Sequence, residues 1–216
     1  QPCRVSGVPP YVYVQRIQPA SLAAWKNLRA TSSGEAPDVI VRQAPTPQSV
    51  FRGSVRPDGM ASCDVLQVWV DAARALGVPF SAYYNLGRDG VIMQRRPEWN
   101  RRKVDGSPWE RALCYHSGVA EQYLWPMIDE IMERYRPDGF WFDGSCFTVS
   151  QCYCAKCLER FRREGGGSNP PRSAAAPGWA AYKEMQRAIY REFVAATAAR
   201  IKRRDPACLV AVNWAY

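Results

Sequence analysis

The sequence predicts an α/β fold in which a parallel sheet is covered by helices. Segments with the pattern of strands and segments with the pattern of helices alternate along the 216 residues. The strand segments are too apolar to have one face in water, which is typical of parallel strands buried on both faces. Long loops rich in proline, glycine and tryptophan follow the strands, whereas the connections from helix to strand are short. This asymmetry favours a (β/α)8 TIM barrel, whose C-terminal face carries the functional site.

The chain is shorter than a complete barrel. A (β/α)8 barrel takes about 250 residues, and this sequence has five strand segments in 216 residues. We therefore expect an incomplete segment that holds about the first five β/α units of a barrel. The chain starts at Gln1 rather than at a methionine, and it ends at Tyr216 directly after an apolar run. We expect either a piece of a longer protein or a mature form with a trimmed start, and the abrupt C-terminus favours a piece.

The strand segments are short apolar runs, rich in β-branched and aromatic residues, that stop at proline, glycine or a polar residue. The first of them alternates in the manner of a strand and is followed by Pro19. No glycine-rich phosphate loop follows it, which argues against a nucleotide-binding fold. The five segments comprise residues 11–17, 38–41, 78–84, 140–142 and 208–212.

The helix segments have apolar residues at spacings of three and four, which place them on one face of a helix. In the longest segment, Tyr182, Met185 and Ile189 belong to such a stripe. A long basic loop with tryptophans fills residues 85–113, and a loop of that length in a compact domain is usually functional. The predicted helices comprise residues 21–29, 64–76, 121–135, 158–163 and 179–203.

The strand segment 140–142 delivers an acidic side chain to its C-terminal end. Asp143 follows Phe142 directly, and Gly144 allows the chain to turn sharply after it. A carboxyl group flanked by aromatic rings at a strand end is partly desolvated, and such an environment can adapt its pKa to catalysis. The alternative for Asp143 is a structural role in the turn. Asp138 precedes the strand, so we expect it at the opposite end in a structural role.

Three cysteines follow in the next loop at Cys-x-Cys-x-x-Cys spacing: Cys152, Cys154 and Cys157. Tetrahedral zinc binds four nitrogen or sulfur ligands, and three thiolates from one loop can wrap one ion. The fourth ligand is either Cys114, in the neighbouring βα region, or Cys146, which is closer in sequence. Four thiolates close the site, so we expect a structural zinc ion. A disulfide with free thiols is the alternative, because eight cysteines in a secreted chain would favour it.

The net charge of +9 raises the question of nucleic-acid binding. The basic residues are dispersed over one loop and two helices rather than gathered into one patch, which indicates a solvated basic surface. A zinc-ribbon module that binds nucleic acid would need a second Cys-x-x-Cys pair and a different order of strands and helices. No apolar run is long enough to span a membrane. We therefore expect neither nucleic acid nor a membrane as partner.

These residues together resemble a known class of enzymes. The resemblance implies that residues 1–216 are part of a TIM-barrel glycoside hydrolase domain, which hydrolyses glycosidic bonds with two carboxylates. Residues 64–161 resemble the catalytic domains of α-L-fucosidases and of zinc-bearing β-galactosidases (glycoside hydrolase families 29 and 42). The segments that carry the resemblance, besides the cysteine loop, are residues 73–84, 97–99, 105–106, 113–114 and 138–143.

The resemblance also implies roles for individual residues. The Trp-Phe-Asp-Gly segment at 141–144 is similar to the fucosidase strand that carries the catalytic nucleophile, which makes Asp143 the candidate catalytic residue. The cysteine loop is similar to the galactosidase zinc loop, in which a cysteine from an earlier strand end completes the site; here that residue is Cys114. The galactosidases have Asn-Glu where this chain has Phe142 and Asp143, so the nucleophile and acid/base roles stay open. The second carboxylate is expected after Tyr216.

Five further residues are candidates for binding a carbohydrate. Amide groups suit sugar hydroxyls, and aromatic rings offer a surface on which sugars stack. The candidates, at or near predicted strand ends or in a loop at the predicted active face, are Asn85, His116, Trp141, Asn213 and Trp214. His116 is the only histidine, and a position facing solvent is the alternative for it.

One broader alternative stays open for the whole chain. It could be a non-catalytic carbohydrate-binding or structural barrel that has kept its zinc site. The compartment is open as well: a zinc site of thiolates slightly favours the reducing cytoplasm, whereas enzymes that act on carbohydrates are often exported. The sequence also leaves the oligomeric state open.

Overall fold

The computed structural model describes residues 40–43, 65–75, 77, 79–143 and 151–212. Several sequence predictions lie outside the described residues: the strand at 11–17, the helix at 21–29, and the side chains of Cys146, Asn213 and Trp214. None of the helices in the described part combines the length and the apolar character needed to cross a membrane.

The described strands form two sheets. In chain order they are β1 (Ile40–Gln43), β2 (Phe80–Asn85), β3 (Asn100–Arg102), β4 (Pro108–Leu113), β5 (Gly139–Asp143) and β6 (Leu209–Val212). Strands β1, β2, β5 and β6 form a four-stranded parallel sheet in that order, and β3 pairs with β4 as an antiparallel hairpin. The predicted parallel sheet is therefore confirmed, and β5 is one of its two inner strands.

The part of the chain that the structure describes contains five α-helices: α1 (Val65–Ala75), α2 (Gly90–Arg95), α3 (Trp125–Tyr135), α4 (Ala155–Arg163) and α5 (Trp179–Arg204). A 3₁₀ turn, Pro97–Trp99, follows α2, and a π-helical turn, Ala120–Leu124, leads into α3. The predicted helices at 64–76, 121–135 and 179–203 agree with α1, α3 and α5 to within a few residues. Helix α4 begins before the predicted residue 158, because Cys154 is the extended residue that precedes it.

The prediction of a TIM barrel is wrong. Within the described residues the parallel sheet has four strands and stays open, with β1 and β6 at its edges, and no barrel of eight β/α units forms. The chain between β2 and β5 is not a simple β/α unit, since it forms α2 and the β3–β4 hairpin before it reaches α3. Long loops at the carboxyl ends of the strands are common to open and closed parallel sheets, so their asymmetry does not distinguish the two.

One face of the two inner strands, β2 and β5, is buried and forms the core with the helices. Phe80, Ala82 and Tyr84 of β2 alternate along the strand, as do Phe140 and Phe142 of β5, and none of them is more than 3% exposed. They share one cluster of buried side chains with residues of α1 and α3. Full burial of one phenylalanine side chain stabilises the fold by about 1.5–3 kcal/mol.

The opposite face of the sheet is less buried towards its carboxyl edge. Side chains alternate along a strand, so this face carries Tyr83 and Asn85 of β2 and Trp141 and Asp143 of β5. All four are half-buried. In the register of the two strands Tyr83 is opposite Trp141, and Asn85 is opposite Asp143. Polar and aromatic side chains therefore meet on this face, where the strands end.

Candidate functional site

Asp143 and Asn85 are the last residues of two neighbouring parallel strands. They are partners in the register of β2 and β5, and the backbone N–H of Leu86 donates to the Asp143 carbonyl at 2.7 Å. Parallel strands end at one edge of a sheet, so the two side chains start from adjacent positions there. Asp138 precedes β5, at the other end of the strand, where its carboxylate accepts from the Phe80 N–H at 2.9 Å.

A tyrosine hydroxyl holds the Asp143 carboxylate. The Tyr83 hydroxyl donates a hydrogen bond to Oδ2 of Asp143. Tyr84, next in the chain, lies on the buried face, where its hydroxyl contacts the Met127 sulfur at 3.5 Å. The sequence indicates that only one of the two tyrosines lies on each face, but not the strand register that brings Tyr83 to Asp143. Tyr83 is thus a residue of the candidate site that the sequence does not predict.

Asn85 and Trp141 lie on the same face of the sheet as Asp143. Oδ1 of Asn85 accepts from the backbone N–H groups of Gly87 and Arg88, at 3.0 and 2.9 Å, and so closes the turn after β2. Trp141 precedes Asp143 by two residues, and its indole is half-buried. Their contact with a substrate stays a prediction.

Four cysteine side chains converge on one point. The Sγ atoms of Cys114, Cys152, Cys154 and Cys157 all lie within 4.8 Å of one another. Cys114 follows β4, Cys152 and Cys154 belong to the loop before α4, and Cys157 lies in the first turn of that helix. Cys154 is half-buried and the other three are buried. The structure thus brings together the four side chains that the sequence suggests as metal ligands.

The geometry of the cluster fits a single tetrahedral metal ion. Sγ of Cys114 lies 3.7 Å from Sγ of both Cys154 and Cys157. Zinc–thiolate bonds of about 2.3 Å at tetrahedral angles place two sulfurs about 3.8 Å apart. A disulfide needs about 2.05 Å, and the five cysteines that the structure describes are all free thiols. The cluster could therefore hold a metal ion, and its four sulfurs are compatible with zinc.

The thiols of the cluster affect one another's ionisation. Hydrogen bonding, first of all with Cys114, raises the pKa of the Cys157 thiol and lowers the pKa of the Cys154 thiol. Thiols this close together do not all carry a negative charge at once, because like charges repel. A divalent cation would balance the charge of the thiolates, because thiol ligands release their protons when a metal binds.

Backbone hydrogen bonds connect the cluster to the β3–β4 hairpin. The Arg102 N–H, at the end of β3, donates to Sγ of Cys152 at 3.4 Å, and the Tyr153 N–H donates to the Arg102 carbonyl at 2.9 Å. After β4, the Cys114 N–H donates to the Trp99 carbonyl at 2.8 Å. Hydrogen bonds donated to a thiolate favour its charged form. The hairpin and the loop before α4 therefore meet at the cysteine cluster.

Helix α5 anchors the loop that carries Cys152. The Tyr182 hydroxyl, on a side chain that is 0% exposed, donates to the Cys152 carbonyl at 2.7 Å. Gln186, one turn further along α5, donates to the same carbonyl at 3.4 Å. The Tyr182 ring also packs edge-on against Phe161 of α4, with 4.8 Å between the ring centroids. One side chain of α5 thus supports both the loop and α4.

Tyr182→Phe is expected to lower the free energy of unfolding by about 1 kcal/mol, since among the described residues the Cys152 carbonyl then keeps only the longer hydrogen bond from Gln186. Urea denaturation measures the change. Tyr153→Phe is the matched control, because the hydroxyl it removes donates to the Pro171 carbonyl from a half-buried side chain and is expected to matter less. Equal losses in the two variants would contradict a special role of Tyr182.

His116 lines a shallow cleft of about 330 Å³ together with four charged side chains of α4, and no described residue of β2 or β5 lines that cleft. Its Nδ1 atom is buried and has no hydrogen-bond partner in the described part of the chain. Burial, followed by the positive charge of Arg160, lowers the pKa of His116. A contact between His116 and a carbohydrate stays a prediction.

Comparisons with known proteins identify solved structures of similar fold but no matching protein family. No protein-family model and no curated protein sequence matches the chain. The α-L-fucosidase isoenzyme 2 from Paenibacillus thiaminolyticus matches 76% of this chain with a TM-score of 0.62 and 18% identity. A β-galactosidase from the haloarchaeon Halorubrum lacusprofundi matches 73% with a TM-score of 0.59 and 19% identity. A β-galactosidase from Rahnella sp. R3 matches 77% with a TM-score of 0.60 and 16% identity.

These solved structures are much longer than the chain. The matches span 24% of the fucosidase and 30% of each galactosidase. At identities of 16–19% the likeness establishes a shared fold and does not carry over an activity. These three structural neighbours are glycosidases, so the resemblance in the sequence is confirmed at the level of a glycoside-hydrolase-like fold.

Proposed function

We propose that the protein hydrolyses glycosidic bonds and that Asp143 supplies one of two reacting carboxylates. The observation that carries this proposal is the position of Asp143, at the carboxyl end of an inner parallel strand and bonded to Tyr83 on the more open face of the sheet. Ligands of parallel α/β sheets bind at that edge. The fold is also found in an α-L-fucosidase and in two β-galactosidases.

Glycoside hydrolysis needs two carboxyl groups with different roles. One donates a proton to the leaving oxygen, and the other attacks the sugar or activates a water molecule. A hydrogen bond donated to a carboxylate favours its charged form. The bond from Tyr83 therefore suits Asp143 as the nucleophile or base better than as the acid. We expect the second carboxyl group on a later strand.

The proposed substrate is a carbohydrate bound at the edge of β2 and β5. Trp141 carries a half-buried ring on the same face as Asp143, and sugar rings stack on such aromatic surfaces. Oδ1 of Asn85 is engaged in the turn after β2, so its amide nitrogen is the group proposed to donate to a sugar hydroxyl. A few polar groups around an apolar ring are typical of small-molecule sites.

The proposed metal is zinc, with Cys114, Cys152, Cys154 and Cys157 as its ligands. Four thiolates fill a tetrahedral coordination sphere, so a bound ion has no open position for substrate or water and contributes stability rather than catalysis. The ligands come from the end of the hairpin, from the loop before α4 and from the first turn of α4. The ion would therefore join these parts of the chain.

Incubation of the full-length protein with a panel of para-nitrophenyl glycosides, α-L-fucosides and β-D-galactosides first, tests the proposed function. We expect release of para-nitrophenol from at least one of them, and a much slower release in Asp143→Asn. Sugar binding without release, measured by calorimetry on the same panel, would favour a non-catalytic carbohydrate-binding protein. Equal rates in Asp143→Asn and the wild type would contradict the role of Asp143.

A further inference from the structure

We propose that Tyr83 is a positioning residue, which orients the Asp143 carboxylate and keeps it ionised for reaction. The inference rests on the proposed function, in which Asp143 reacts with the substrate. The Tyr83 hydroxyl donates to Oδ2 of Asp143. It therefore fixes one carboxylate oxygen and acts through Asp143, without having to contact the substrate itself.

The register of the sheet brings the two side chains together. Tyr83 is paired with Trp141, and Asn85 is paired with Asp143, across β2 and β5. Side chains at alternate positions of a strand share a face, so Tyr83 and Asp143 lie diagonally across neighbouring strands on one face. The length of a phenol side chain lets the hydroxyl span this diagonal. A slip of one residue in the register would put the two groups on opposite faces.

The surroundings of Asp143 explain why a hydrogen-bond donor is needed to keep its carboxylate ionised. The carboxylate is half-buried on a face that it shares with the Trp141 ring, and loss of water around a carboxyl group disfavours its charged form. A phenolic hydroxyl keeps its proton across the pH range in which carboxyl groups titrate, so it can donate to the charged form throughout. The hydrogen bond from Tyr83 therefore offsets the partial burial of Asp143.

Tyr84 provides a matched control within the same strand. Its side chain lies on the opposite face, is 1% exposed, and contacts the Met127 sulfur through its hydroxyl at 3.5 Å. Tyr83→Phe and Tyr84→Phe each remove one hydroxyl and keep the ring, so both retain the packing of β2. Only Tyr83→Phe removes a donor to Asp143.

Carbon-13 NMR of the full-length protein, labelled at the side-chain carboxyl carbon of aspartate, tests the proposal without a substrate. Asp143→Asn removes one signal and thereby assigns it. We expect the Asp143 signal to titrate about one pH unit higher in Tyr83→Phe than in the wild type, because a hydrogen bond to a charged group is lost. Tyr84→Phe is expected to leave the midpoint unchanged. An unchanged midpoint in Tyr83→Phe, or an equal shift in both variants, would overturn the proposal.

Hydrolysis kinetics give a second readout. The acidic limb of the pH profile of kcat/KM, where Asp143 becomes protonated, is expected to move to higher pH in Tyr83→Phe by the same amount. A lower kcat with an unmoved acidic limb would overturn the role of Tyr83 in ionisation. A shifted Asp143 signal in a protein that cleaves no glycoside would support the effect of Tyr83 on the carboxylate and contradict the proposed function alone.

Discussion

Loss of the proposed zinc ion from the four-cysteine cluster is expected to lower the free energy of unfolding by about 4 kcal/mol or more, a size typical of losing a structural metal. The cause is the free energy of zinc binding to thiolates, on the order of 10 kcal/mol in small zinc domains, which stabilises only the folded state. Cys157 is 0% exposed and lies at the start of α4. Cys157→Ser removes one of four ligands, so the hairpin and the loop before α4 lose their common attachment.

Elemental analysis and thermal unfolding measure this effect together. The wild type should hold about one zinc ion per chain, whereas Cys157→Ser should hold close to none and should melt at a lower temperature. Cys208→Ser is the matched control, because Cys208 is also 0% exposed but contacts the Met132 sulfur at 4.0 Å, outside the cluster. It should keep its zinc. Wild-type protein without metal, or with a melting temperature that a chelator does not change, would rule out the structural zinc.

Local patterns in the sequence predict the helices and strands that bury one face in the core. Helices α1, α3 and α5 are found where apolar residues recur at helical spacing, because the same residues that define the pattern also pack in the core. The parallel sheet is predicted for a similar reason, since strands such as β5 are apolar at successive positions. Each of these helices and strands depends on residues that are neighbours in the sequence, so a local pattern is enough to predict it.

Features that depend on distant parts of the chain are less accessible from the sequence. Closure of a sheet into a barrel depends on the number of strands and on their stagger, and local periodicity reports neither. The β3–β4 hairpin lies in residues 85–113. The sequence predicts a loop there because β3 (Asn100–Arg102) is short and polar. Hydrogen bonds that lie outside the pairing of its two strands support the hairpin. The Cys114 N–H donates to the Trp99 carbonyl, and the Arg102 N–H donates to Sγ of Cys152.

The candidate site was predictable to different degrees. The Cys-x-Cys-x-x-Cys spacing points to three clustered thiols, but it leaves the fourth open between Cys114 and Cys146. The resemblance to the galactosidases favours Cys114, and the structure brings Cys114 into the cluster. Asp143 is found at the strand end that the apolar run before it indicates. Tyr83 depends on the pairing of β2 with β5, which no local pattern specifies.

Asp143→Asn is expected to lower kcat by roughly 10²–10⁴-fold or more, the range that a positioned proton-transfer group contributes. Asparagine has nearly the same shape as aspartate, and its oxygen can accept the hydrogen bond from Tyr83. The variant therefore removes the negative charge and retains the geometry of the strand end. KM should change much less than kcat, because an interaction made only in the transition state does not affect binding of the ground state.

Asp105→Asn is the matched control for the loss of a carboxylate. Asp105 is exposed at the turn of the β3–β4 hairpin, where it accepts from the Ser107 N–H at 2.9 Å, so its variant should retain wild-type kinetics. Thermal unfolding of both variants separates a loss of chemistry from a loss of fold. A wild-type kcat in Asp143→Asn would mean that the hydrogen bond from Tyr83 to Asp143 only stabilises the end of β5. The shared fold with the glycosidases would then reflect architecture and not activity, since one fold supports many functions.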